Sequence, residues 1–310
     1  MAKFLKWVEA GPDELLEDVA VRTLDSRLQP VMHYVPLAAK HPERDIEHVH
    51  QMRVWARRAK AAMSLYEELL PKRRRKWINA QLQAIRRAAN DARDDDVFLQ
   101  RLAGDAEHAA AARPLLDAVR HHRQEAQRPI VKLWKDLFEL GRFPRRCAKL
   151  LRKVGLRGAA ADAGPIAFRP WAENRIQPLL DAFFAAAEAD LSDLGAMHRF
   201  RIAGKKLRYA IELLAPAFGE SLRTQAYPAL QDLQDRLGQI NDLAAAQSCL
   251  KRWLEQAEGS QQTAYLQQML DQEQQRLEAQ RSECLAWWNA RRKKELRHLL
   301  ASQGLTAAHP

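Results

Sequence analysis

The sequence is poor in cysteine: three residues in 310, Cys147, Cys249 and Cys284, far apart along the chain. That scarcity gives neither a zinc-ligand spacing nor a disulfide framework, so a reduced, cytoplasmic protein is expected. No run of about 18 apolar residues occurs, which leaves no transmembrane helix. The opening MAKFLKWVEAGP lacks the apolar core of a signal peptide. β-branched residues are sparse and no alternating apolar run survives, so no strand is expected. There is no glycine-rich phosphate loop and no nucleophile–base arrangement. Acids are also short: 39 Asp and Glu against 50 Lys and Arg, a net charge of +11. The excess is concentrated. Residues 53–93 carry twelve cations against Glu67, Glu68 and Asp91, a net +9 in 41 residues. Such a balance favours an anionic partner without naming one.

What is present is a repeat. HVHQMRVWARRAKAAMSLYEELLP at 48–71 returns at 196–216 as AMHRFRIAGKKLRYAIELLAP. Without a gap, His50 falls on His198, Arg53 on Arg201, Arg57 on Lys205, Arg58 on Lys206 and Lys60 on Arg208, always 148 residues apart. The same offset lays Arg27, Gln29 and Pro30 on Arg175, Gln177 and Pro178, and Arg93-Asp94 on Asn241-Asp242. One register held over three separated segments indicates a duplicated unit.

A helix turns about 100° per residue. Positions 50, 53, 57, 60 and 64 therefore share one face, as do 198, 201, 205, 208 and 212. Met52, Trp55, Ala59, Ala62, Met63 and Tyr66 fall on the other side of the first helix. Phe200, Ala203, Leu207, Ala210, Ile211 and Leu214 do so on the second. Each helix is thus amphipathic, with a packed face and a cationic stripe. A basic stripe on one helix is usually a solvated face. Two copies that keep the charge while exchanging Arg for Lys, almost without acids, point instead to a shared anion site.

The turn signals place helices at about 13–39, 43–71, 72–103, 114–140, 168–190, 192–215, 221–257 and 262–301. Pro30, Pro36, Pro129 and Pro178 lie inside helices, and Ser192 is the expected cap of the sixth. A first four-helix unit at 13–141, a linker at 142–166 holding a short basic helix at 145–154, a second unit at 167–301 and a disordered tail at 302–310 follow. The whole is one all-α domain.

His50-x-x-Arg53-x-x-x-Arg57-Arg58-x-Lys60, the Arg93-Asp94 pair, HRFRIAGKKLRY at 198–209 and LGQIND at 237–242 resemble the CHAD family, the conserved histidine α-helical domain. The resemblance spans about residues 13–300. It implies two four-helix units related by a pseudo-twofold axis around a basic central cavity. It implies non-catalytic binding of inorganic polyphosphate and association with polyphosphate granules, in a chain without the catalytic triphosphate-tunnel (CYTH) domain of some relatives. Carried over residue by residue, the phosphate-contacting set is His50, Arg53, Arg57, Arg58, Lys60 and Arg93 from the first unit, and His198, Arg201, Lys205, Lys206 and Arg208 from the second; Arg27 and Arg175, matched by the repeat, are expected to join it. Arg93 falls on Asn241, and Arg86 and Arg87 on Gln234 and Asp235, so the site is expected to be stronger on the first unit.

No catalytic residue, cofactor or metal is expected. Asp94, Asp95 and Asp96 are consecutive, and a helix does not aim three consecutive side chains at one ion. Asp94 and Asp242 are read as partners that orient the arginines or limit their repulsion. Lys132 and Arg281 are further candidates for the cavity, without support from the repeat. The rival readings are a basic nucleic-acid-binding protein, which lacks a stacking platform here, a phosphatase, and a helical scaffold or homodimer built on the long helix 262–301.

Overall fold

The computed structural model describes residues 4–41, 45–103, 109–158, 164–257 and 259–306. They form twelve α-helices. Those of the first half are α1 (Leu16–Lys40), α2 (Glu47–Leu65), α3 (Lys72–Ala88), α4 (Asn90–Ala103), α5 (Ala109–Glu125), α6 (Arg128–Trp134) and α7 (Arg142–Gly158). Those of the second are α8 (Phe168–Ala187), α9 (Leu194–Leu214), α10 (Tyr227–Glu255), α11 (Ser260–Trp287) and α12 (Ala290–Ala301). Short π-helical turns follow α6 at Lys135–Glu139 and precede α10 at Leu222–Ala226. Among the described residues the only β pairing is the bridge Leu15–Ala167. No described helix is long and apolar enough to cross a membrane.

The apolar faces read from the periodicity are the ones that pack. On α2, Met52, Ala59, Ala62 and Met63 are fully buried. So are Phe200, Leu207, Ile211 and Leu214 on α9. Burying each of the larger side chains contributes about 2 kcal/mol. α1 packs along α2, α8 along α9, and α2 against α9, which brings the two stripe-bearing helices together. The starts of α1 and α8 are tied by backbone hydrogen bonds from Leu16 N to Ile166 O (3.0 Å) and from Phe168 N to Glu14 O (2.9 Å). One large core runs through both halves. A smaller one joins Phe98, Leu115, Leu250, Trp253 and Leu266, so α4 and α5 share a core with α10 and α11.

Several expected boundaries move. The helix expected at 72–103 is broken at Ala89, where α3 ends and α4 begins. The expected helix 114–140 is divided into α5, α6 and a π turn, with Pro129 opening α6. The stretch read as a linker is largely α7, because Phe143, Cys147, Leu150 and Val154 make a buried stripe at helical spacing. The long terminal helix is interrupted at Trp288-Asn289, where Asn289 caps α12 through Arg292 N. The cap of α9 is Asp193, whose Oδ2 accepts from Ala196 N at 2.6 Å. Ser192 instead bonds to Asp190. Residues 307–310 of the expected tail lie outside the described residues.

α9 and α10 cross closely at Gly204. A Cβ there would lie 2.1 Å from Gln234 Nε2 and 3.4 Å from Phe183 Cε2. Glycine is required for that approach, and Gln234 fills the space, 3% exposed.

Candidate anion-binding site

The carbonyl of Ala89, which accepts from Arg93 N at 3.1 Å, also lies beside α2. Arg53 takes it, donating from Nη1 to Ala89 O at 3.3 Å and to Asn90 Oδ1 at 2.7 Å. Arg53 is thereby fixed on the α2 stripe, between His50 and Arg57. Burial lowers its affinity for its proton, Asp94 opposes this, and Arg57, Arg86 and Arg93 add to it. A guanidinium stays charged in proteins, so these shifts reflect burial first and then crowding of like charge, not deprotonation.

Arg57 stands at the centre of the crowding. His50 is pushed down by burial and then by Arg93, Arg57 and Arg53, with Glu47 acting the other way. Arg86, on α3, is pushed down by burial and then by Arg57. Arg201, on α9, is pushed down by burial and by Arg57, with Asp242 opposing. Lys205, also on α9, is lowered to about 8 by burial and then by Arg201, Arg57 and Arg208, again against Asp242. The two stripes therefore converge. One cationic cluster holds His50, Arg53, Arg57, Arg86 and Arg93 from the first half and Arg201 and Lys205 from the second. Among the described residues, no carboxylate lies within ion-pair distance of any of these seven. The Nε atoms of Arg57 and Arg201 are buried and find no acceptor among the described residues.

Arg58 and Arg208 take another course. Both reach Glu212, which is almost fully buried: Arg58 Nε lies 3.3 Å from Oε2, and Arg208 Nη1 donates to Oε1 at 3.0 Å. Tyr227 Oη donates to the same Oε1 at 2.6 Å. Burial alone would lower the Arg208 guanidinium, but Glu212 and Tyr227 outweigh it and the net shift is upward. Lys6 and Arg27 border this second cluster, and both feel Glu212. Arg27 is 1% exposed and is held by the carbonyls of Leu5 (3.1 Å) and Lys6 (2.5 Å). Burial brings it down to about 10. Its counterpart Arg175 donates to the carbonyls of Leu65 (2.8 Å) and Ser64 (3.0 Å) and so closes the end of α2. Arg27 and Arg175 thus serve the fold, where phosphate contact was expected.

The remaining expected contacts are looser. Lys60 is half-buried on the α2 stripe, and His198 and Lys206 are exposed on α9, all three with side chains that make no hydrogen bond or ion pair among the described residues. Lys132 is tied to Asp136 at 2.9 Å and Arg281 to Ser192 O at 2.8 Å, and neither belongs to the cluster. Residues not named as contacts from the sequence are Arg86, Lys6, Glu212 and Tyr227; Arg86 entered there only as a charge that the second unit lacks, and position 212 only as a place on the stripe. For Arg86 the signal was its place two helical turns before Arg93, and for Glu212 its place four residues after Arg208. For Lys6 and Tyr227 no local pattern exists.

The aspartate triplet divides. Asp95 is buried against His122 Nδ1 at 2.7 Å, and Asp96 against Arg123 Nε at 2.7 Å. Asp94 is exposed and near Arg53. Among the described residues no set of three His, Cys, Asp or Glu is arranged to hold a metal ion. Chemically, the arrangement can neutralise several negative charges at once and donate hydrogen bonds to oxygen acceptors.

Residues 22–251 match the family model described as CHAD domain. No curated protein matches the chain. Among solved structures it is similar to the crystal structure of the CHAD domain from the plant Ricinus communis, with a TM-score of 0.64 and 23% identity over 97% of this chain and 96% of that one. It is also similar to PptA from Streptomyces chartreusis, with a TM-score of 0.61 and 18% identity over 89% of this chain and 99% of that one. At these identities the likeness is one of fold.

Proposed function

The chain belongs to the CHAD domain family, and we propose that it binds inorganic polyphosphate, without turning it over, in the cationic cluster between α2 and α9. One observation carries this reading: Arg57 of α2 and Arg201 and Lys205 of α9 crowd together without a carboxylate to pair them. Such crowding costs stability in the free protein, and a polyanion laid along both stripes removes the cost. Polyphosphate offers a line of charged oxygens and nothing else to read. Recognition then rests on arginine forks, lysine point charges and many weak contacts that add along the chain. Asp94 and Asp242 limit repulsion in the free protein and act as neither acid nor base. The protein's place would be at polyphosphate granules in the cytoplasm.

Calorimetric titration with long-chain polyphosphate, run beside duplex DNA of matched charge at two salt concentrations and followed by an orthophosphate assay, tests the reading. Tighter binding of polyphosphate and no released orthophosphate are expected. Equal binding of DNA would favour a diffuse basic surface, and released orthophosphate would favour an enzyme.

A further inference from the structure

The run Lys72-Arg73-Arg74-Arg75-Lys76 takes no part in the cluster described above. It opens α3, whereas Arg86 contributes to the cluster from the far end of the same helix. Fourteen residues of helix place the two about 20 Å apart. At the N-terminal end of α3 the run meets α7, and between them lies a groove of about 690 Å³.

Lys72, Arg73, Arg74, Trp77, Arg146 and Lys149 supply its polar and aromatic lining, and no acid lines it. Neither acid that precedes the run lines the groove. Glu67 pairs with Arg75 at 2.5 Å, and Glu68 accepts from Trp171 Nε1. Arg146 lies with its guanidinium carbon 4.3 Å from the centre of the Trp77 ring, which holds it on the groove wall. None of the five lining cations has an ion pair or a hydrogen bond to the described chain. α3 has no side-chain cap: Pro71 stands at the N-cap, and the N–H groups of Lys72 and Arg73 have no acceptor in the described chain. Two helices and a helix start thus direct only donors and positive charge into one concavity of ligand size.

We propose that the α3–α7 groove is a second anion site, which takes a short run of condensed phosphate independently of the α2–α9 cluster. A nucleic acid fits it less well. The Trp77 face is occupied by Arg146 rather than open to a base, and the groove offers no acceptor with which to read one. An anionic membrane would call for exposed apolar side chains beside the cations, whereas Ile78 is fully buried and Trp77 half-buried. The ligand class follows the reading proposed above, but the site does not depend on it. A long chain that engages both sites gains affinity from linkage that a short one lacks.

The test is calorimetric titration of the full chain with tripolyphosphate, then with long-chain polyphosphate. The variants are Arg73→Ala/Arg146→Ala/Lys149→Ala in the groove and Arg57→Ala/Lys205→Ala in the cluster, with Lys149→Glu as a milder groove variant if the triple one unfolds. Two equivalents of tripolyphosphate are expected for the unaltered protein and one for each variant. The groove variant should also lose about ten-fold or more in affinity for long chains. If the cluster variant keeps two equivalents while the groove variant loses one, the α2–α9 reading fails and the groove stands. If the groove variant keeps two equivalents at unchanged affinity, the groove proposal is overturned. It is equally overturned if that variant loses only duplex DNA or only anionic vesicles.

Discussion

Arg57 and Lys205 occupy the same position in the two copies of the repeated stretch, 148 residues apart in sequence, and in the folded chain Arg57 is one of the charges that hold Lys205 down at about 8. Residues matched by the repeat thus meet one another. Arg53 and Arg57 are also four residues apart on one helix, as are Arg201 and Lys205 on the other, and like-charge pairs at that spacing each cost roughly 0.2–0.5 kcal/mol. Among the described residues, no acid pairs with these like charges in the free protein.

Lys205 sets a pH dependence. In the free protein it loses its proton near pH 8, below the ordinary lysine value. A bound polyanion favours the protonated form and raises that value. Between the free and bound values, binding takes up a proton, so affinity falls as pH rises from about 8 and levels off above the bound value. Titrations at pH 7, 8, 9 and 10 should show this fall, and Lys205→Arg, which stays charged, should flatten it. An unflattened curve in that variant would assign the dependence to other groups.

Glu212 should matter for stability far more than for binding. It is the buried acid that Arg58, Arg208 and Tyr227 share. Glu212→Gln leaves those cations, and neighbouring Arg27, without their counter-charge. Removing one partner of a buried ionic group costs about 3–5 kcal/mol. Urea unfolding should show a loss of that order, and a loss below about 1 kcal/mol would contradict the role given to Glu212.

The helix crossing at Gly204 gives a paired prediction. Gly204→Ala presses a methyl group into Gln234, and overpacking of this kind costs about 1–3 kcal/mol. Because neither end of the Gln234 amide has a hydrogen-bond partner among the described residues, shortening it sacrifices no bond there. Gly204→Ala/Gln234→Ala should be more stable than Gly204→Ala alone, as read by thermal unfolding.

The start of α9 separates two adjacent polar residues. Asp193→Ala should cost about 1 kcal/mol, because its carboxylate caps the helix at Ala196 N. Ser192→Ala should change stability by less than about 0.5 kcal/mol. The reverse order would restore the serine as the cap.

That last pair shows where a sequence stops speaking. Ser192 and Asp193 are both good caps one residue apart, and only the path of the backbone chooses between them. The stripes of α2 and α9 were legible because helical spacing is local and because the second copy repeated it. The cationic face and the packed face therefore emerged together. The break at Ala89 was not legible: 72–103 keeps a helical apolar pattern throughout, and the contacts that Arg53 makes there with Ala89 O and Asn90 Oδ1 come from another helix. Arg58 and Arg208 sit on the same helices as the cluster, yet turn to a buried acid; Glu212 lies four residues after Arg208, a pairing distance on one helix, but no spacing rule brings Arg58 to it from the other helix. Arg27 and Arg175 matched in the repeat because both hold backbone carbonyls, so a shared structural duty produced the same signal as a shared ligand. α7 was missed as a full helix because its glycines and cations obscured a stripe that α1, α3 and the π turn at Lys135–Glu139 complete.

The most direct test is the affinity of Arg57→Ala/Lys205→Ala for long-chain polyphosphate. It is measured at fixed pH and salt beside the charge-matched control Arg120→Ala/Lys132→Ala, whose cations pair with surface acids. If the stripes of α2 and α9 form one polyphosphate site, the first pair loses about ten-fold or more, the equivalent of 1.4 kcal/mol, and the control changes little. Equal losses in the two variants would mean that the positive charge acts diffusely over the surface, and would contradict the site.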